Sequence, residues 1–104
     1  MDRIAMLQDL LNHDPKNAFA RYGLAMEYSN QGDVGRALEE FTNLLSVHPD
    51  YTAGYFMAAQ TLAKSGRSPD ARNMLARGIA CAQKKGDTHA QSEMQAMLDQ
   101  LGAE

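Results

Sequence analysis

Two stretches, "NAFARYGLAMEYSNQGD" (residues 17–33) and "GYFMAAQTLAKSG" (residues 54–66), follow one plan. In the first, Arg21, Leu24, Ala25 and Tyr28 recur at i, i+3, i+4 and i+7, one face of a helix, and Gly32 breaks the pattern. In the second, Tyr55, Ala58, Ala59 and Leu62 keep the same spacing, and Gly66 breaks it. Ala25 and Ala59 are 34 residues apart, as are Gly32 and Gly66, Pro15 and Pro49, Ala37 and Ala71, and the pairs Leu10-Leu11 and Leu44-Leu45. An offset shared by separate features is a period. A period of 34 predicts a helix–turn–helix unit stacked on copies of itself.

The segments between fit this plan. Asp33 is placed to cap a helix over "VGRALEEFTNLLSVHP" (34–49), whose inner face is Ala37, Leu38, Phe41, Leu44 and Leu45, with Pro49 past its end. In "RSPDARNMLARGIACAQKKG" (67–86), Ser68 is the expected N-cap and Pro69 the first helical residue. Gly86 stops that helix, and Asp87 or Thr88 starts a last one. There Met94, Met97, Leu98 and Leu101 form a narrow apolar stripe, while His89, Gln91, Glu93, Gln95 and Asp99 stay in water, as a terminal cap requires. The expected fold is all-α, a short solenoid of antiparallel helix pairs with about six helices. The expected division is a half unit (1–17), two full units (18–51 and 52–85) and a capping helix (86–104) in a single domain.

Within "Y55-F-M-A-A59", bulky and small residues stand side by side because they point in different directions. At about 100° per residue, Tyr55, Ala58, Ala59 and Leu62 share one side, where the alanines let a neighbouring helix approach. A leucine at Ala59 should overpack that crossing and cost about 1–3 kcal/mol, read as a lower urea midpoint. Phe56 points about 100° away and is not needed by the same packing.

The order of residue types resembles the tetratricopeptide repeat. Its motif positions are filled by Arg21, Leu24, Ala25, Tyr28, Ala37, Phe41 and Pro49 in one copy, and by Tyr55, Ala58, Ala59, Leu62, Ala71, Leu75 and Gln83 in the next. "RIAMLQDLLNHDP" (3–15) matches only the second helix of a preceding copy, with Leu7 aligned to Phe41. Two departures stand out. Arg21 replaces a large apolar residue, so either that spot lies near the solenoid's end or its stem packs while its guanidinium reaches water. Gln83 replaces the closing proline, so that helix is expected to run on to about Lys85. The resemblance implies a concave groove that takes a peptide segment of another protein. By position it would be lined by Phe19, Tyr22, Met26 and Ser29 from one unit and by Ala53, Phe56, Gln60 and Ala63 from the next, with Asn30 and Lys64 at the edge. Aromatic and Met side chains suit such a surface. The subgroup of these repeats that grips chaperone C-terminal carboxylates uses Lys, Asn and Arg. The matching positions here hold Tyr22, Gly23, Met26, Ala53 and Met57, so that ligand is excluded.

The remaining chemistry is sparse. Net charge is −3 over 104 residues: 8 acids against 4 bases in residues 1–51, and 5 against 6 in residues 52–104. That gradient could orient a charged partner, while nucleic acid would call for a concentrated basic face. The basic residues Arg72, Arg77, Lys84 and Lys85 read as a solvated helix face. The single Cys81 cannot form an internal disulfide and reads as a small buried hydrophobe. With no targeting signal and no apolar run near the ~18 residues of a membrane span, a cytoplasmic protein is expected, with no membrane partner. His13-Asp14-Pro15 and His48-Pro49-Asp50 follow helix ends, where the histidine meets the helix dipole and the aspartate can cap the next helix. No phosphate loop, zinc spacing or nucleophile motif appears, so no enzyme activity, metal or cofactor is expected. Two functions compete: an adaptor holding an apolar or amphipathic segment of a partner protein, and a structural module in which a second copy covers the groove or terminal helices.

Overall fold

The computed structural model describes residues 2–102 as six helices with no strand among them. They are α1 (Arg3–His13), α2 (Ala18–Asn30), α3 (Val34–Val47), α4 (Thr52–Lys64), α5 (Ser68–Lys85) and α6 (Thr88–Gly102). Each packs on the next in the chain. Beyond that, α4 approaches α2 and α6, whereas the backbones of α1, α3 and α5 stay apart from one another. The array therefore closes up on the α2, α4 and α6 side and opens on the other, within extents of 42 × 30 × 18 Å.

Punctuation sets this geometry. Three helices end the same way, in a glycine at positive φ (Gly32 at 79°, Gly66 at 80°, Gly86 at 69°). The amide after each glycine donates to the carbonyl five residues back: Asp33 to Tyr28, Arg67 to Leu62 and Asp87 to Ala82, each at 2.9 Å. This turn needs the left-handed conformation that glycine adopts without a Cβ penalty. Asp33 then caps α3, its carboxylate accepting from the Arg36 amide at 3.2 Å, and Asp87 caps α6 through the Ala90 amide at 3.0 Å.

The motif positions form the core. Leu24, Ala25, Tyr28, Ala37 and Phe41, and their counterparts Tyr55, Ala58, Ala59, Leu62, Ala71 and Leu75, are all buried. Ala58 packs in a cluster with Leu24, Ala25 and Phe41, while Ala59 packs with Tyr55, Leu75 and Met94. Adjacent alanines thus serve two clusters, one on each flank of α4, which extends the sequence reading of them as one face.

Several local expectations change. The Arg21 guanidinium, about a quarter exposed, is held by protein as well as water: it donates to Glu40 Oε2 at 3.0 Å and to the Pro15 carbonyl at 3.3 Å. A half-buried ion pair with two acceptors replaces the apolar contact at that spot. Neither Asp14 nor Asp50 is the N-cap of the helix that follows it. Asn17 caps α2 through the Ala20 amide at 3.0 Å, and α4 starts after Tyr51 with no side-chain cap. The histidines bond to backbone instead, His13 to the Asp9 carbonyl and His48 to that of Lys16, the latter at 2.7 Å. Helix α5 begins at Ser68, flanked by Arg67, one residue earlier than a Ser68 cap would put it.

Candidate functional site

The faces of α2, α4 and α6 that turn toward the closed side of the array form the candidate site. It includes an open cleft of about 720 Å³ between Phe56 and Gln60 of α4 and Glu93, Ala96, Met97, Asp99 and Gln100 of α6. Phe56 and Met97 are half-buried against the second core cluster, so their inner edges are anchored and their outer edges form the floor. The other residues are polar or small.

The ten candidate residues fall into three groups. Phe19 is 67% exposed, and Asn30, Ala53 and Lys64 are also exposed. Phe56, Gln60 and Ala63 are half-buried, with Phe56 and Gln60 in the cleft. Tyr22, Met26 and Ser29 are engaged in packing. Tyr22 stands beside Phe41 and Tyr51, ring centroids 6.5 and 5.4 Å away, the first pair edge-on at 68°. Burial, and then the neighbouring Tyr51, push its hydroxyl above the ordinary phenol range, so it stays a neutral donor. Met26 packs on the first core cluster. Thr61 Oγ1 donates to the Met57 carbonyl at 2.9 Å, which leaves the Ser29 hydroxyl as donor in its 2.9 Å contact with Thr61. That bond ties α2 to α4.

Sequence reasoning missed the α6 wall. Glu93, Ala96, Met97 and Gln100 lie at i, i+3, i+4 and i+7, so the signal of a shared face was present. The period did not carry it forward, because α5 has 18 residues where α3 has 14, and the register of 34 lapses before α6 begins.

Electrostatically the cleft is one-sided. Of its seven lining residues two are carboxylates and none is a lysine or arginine. Asp99 accepts from the Gln95 amide at 3.0 Å, and Glu93 lies 2.9 Å from His89 Nε2. The cations of this half of the chain lie mainly on α5. There Arg67 pairs with Asp70, Arg77 sits 5.4 Å over the Tyr55 ring, and Lys85 donates to the Asp50 carbonyl at 2.9 Å. Cys81 is buried, 3.3 Å from the Thr52 hydroxyl. Among the described residues no three His, Cys, Asp or Glu side chains converge as a metal site, and no helix is long and apolar enough to cross a membrane.

Helix pairs stacked with a 34-residue register and an open inner face define a helical-repeat solenoid. Residues 28–101 match the family model described as tetratricopeptide repeat, and the chain belongs to that family. It is 32% identical over 95 residues to a TPR repeat-containing protein of Pseudomonas aeruginosa, covering 91% of this chain and 90% of the relative. Among solved structures, a tetratricopeptide repeat domain protein from Salinibacter ruber is 32% identical with a TM-score of 0.79, covering 85% of this chain and 89% of that one. PcrH, solved in complex with the chaperone binding region of PopD, shares the fold at 20% identity with a TM-score of 0.88, over 96% of this chain and 76% of its own.

Proposed function

We propose that this chain is a non-enzymatic adaptor that holds an apolar or amphipathic segment of another protein across α2, α4 and α6. Units 18–51 and 52–85 supply two walls, and α6 closes the third side. The observation that carries the reading is the cleft of about 720 Å³ floored by Phe56 and Met97, and the helical spacing of Phe19, Tyr22 and Met26 adds the exposed Phe19 ring to the proposed surface. Anchored aromatic and thioether side chains with free outer edges bury partner side chains at little entropic cost. Gln60 and Gln100 are placed at the cleft to bond the partner's backbone. A fold neighbour, PcrH, holds a region of PopD, which supports a protein partner as the ligand class. The lone buried cysteine fits a cytoplasmic role.

The test is parallel capture from source lysate with wild type and a Phe19→Ala/Phe56→Ala double variant, with melting curves run beside it. Phe19 rather than Tyr22 is paired with Phe56 because Tyr22 packs on Phe41 and Tyr51. A protein retained by wild type and lost by a variant of nearly unchanged melting temperature is the expected result. Identical protein lists from both baits would end the adaptor reading.

One observation favours the second reading, self-association. Met6 and Leu10 of α1 are 47% and 44% exposed. They lie symmetrically about Gln8, so an antiparallel copy of α1 would set Met6 of one protomer against Leu10 of the other. Sedimentation at micromolar concentration separates the readings, since a strict monomer removes this one.

A further inference from the structure

We infer that the segment held on this face is basic, with an apolar anchor for the space between Phe56 and Met97 and lysine or arginine on the adjoining turn. This rests on the groove reading and narrows it to one partner chemistry. The cleft offers two different surfaces within one side chain's reach. Phe56, Ala96 and Met97 form an apolar floor, and Glu93 and Asp99 place two carboxylates at its α6 edge. Neither carboxylate meets a fixed positive charge: the partner of Asp99 is the neutral Gln95 amide, and that of Glu93 is His89, itself exposed to water. Helix α6 contains no lysine or arginine, and the one cation of α4, Lys64, lies in its last turn, outside the cleft lining.

Charge along the sequence points the other way. Residues 52–104 carry 5 acids and 6 bases, which alone would suit an acidic partner. Folding sorts these charges. A separate pocket lined by Arg77, Lys84 and Lys85 along α5 gathers cations away from the Phe56 cleft, while α6 brings its carboxylates to the inner face. Glu93 and Asp99 set a negative potential along the α6 edge of the cleft. An ammonium or guanidinium entering it gains charge-assisted hydrogen bonds. An acidic segment, or a phosphate, would be repelled there, which supplies discrimination as well as affinity.

The test uses the full chain with labelled methionine methyl groups and two synthetic peptides of about 15 residues, long enough to form a helix. Both carry the same leucines at i, i+3, i+4 and i+7; one has lysines and the other glutamates at the outer positions. The lysine peptide is expected to shift the Met97 methyl and to bind about three- to tenfold tighter than the glutamate peptide, the factor that two partly exposed ion pairs supply. A Glu93→Gln/Asp99→Asn variant should lose that preference. An Asp9→Asn/Glu39→Gln variant, equal in net charge and altered only at exposed sites away from the cleft, should keep it. Equal affinity of the two peptides, with Met97 shifted by both, would overturn the charge inference and leave the groove reading standing. So would a lysine preference that survives Glu93→Gln/Asp99→Asn. Neither peptide shifting Met97 would remove the groove reading, and this inference with it.

Discussion

A Gly78→Leu variant is expected to lose about 3 kcal/mol or more, and even Gly78→Ala should lose about 1–3 kcal/mol, through overpacking. The sign is the informative part. In the middle of an ordinary helix, alanine in place of glycine gains about 0.5–1 kcal/mol. Gly78 lies buried in α5 where α4 and α6 both approach it. A Cβ there would fall 2.5 Å from Met94 Sδ and 2.7 Å from Tyr55 Cβ. The Met94 thioether is flexible and can swing aside. The Tyr55 Cβ cannot, because it sits on the α4 backbone and its hydroxyl donates to the Pro49 carbonyl at 2.7 Å. The helices themselves must part. Urea unfolding of the alanine variant measures the effect directly, and a variant more stable than the parent would show that α4, α5 and α6 do not meet this closely. Because α6 forms one wall of the cleft, the same change should also weaken any partner held there.

Phe41→Ala should cost about 3–5 kcal/mol, the range for truncating a fully buried ring. Against a typical total of about 5–15 kcal/mol, that leaves a marginal protein. Phe41 is 1% exposed and packs with Leu7, Leu24 and Leu44 in the first core cluster. It also supports the edge of Tyr22. Its removal leaves Tyr22 only the ring of Tyr51 as aromatic neighbour, so the inner face loosens together with the core. The readouts are the urea midpoint and the near-ultraviolet circular dichroism of the tyrosines. A loss of under about 1 kcal/mol would mean that the surroundings collapse onto the vacated space far better than buried aromatic sites usually do.

What the sequence disclosed and what it withheld divide along physical lines. Helix ends were legible because glycine in a left-handed turn and aspartate as a cap act within a few residues, as at Gly32 and Asp33. The small residues at the crossings were legible because Ala25 and Ala59 recur in register. Interactions across a turn were not. The Arg21–Glu40 pair joins residues 19 apart on two helices, and neither helix alone reveals it. The wheel of α2 sets Tyr22 beside Phe19 and Met26, but it cannot say that Phe41 and Tyr51 reach its ring. For α6, the longer α5 shifted the register, so Glu93 and Asp99 read as cap surface while the fold turned them to the cleft.

Every helix touches only its near neighbours in the chain, with no long-range tie closing the ends together. Such a molecule opens like a row of leaning books rather than all at once. Helix α6 leans on α5 and α4 alone, whereas α4 is held by four helices: α2, α3, α5 and α6. Excursions that widen the cleft therefore need not disturb α2 and α3. On the proposed adaptor reading, the inner face would admit segments of different girth by small tilts of its last wall, and a segment bridging α4 to α6 would act as the bookend the array otherwise lacks.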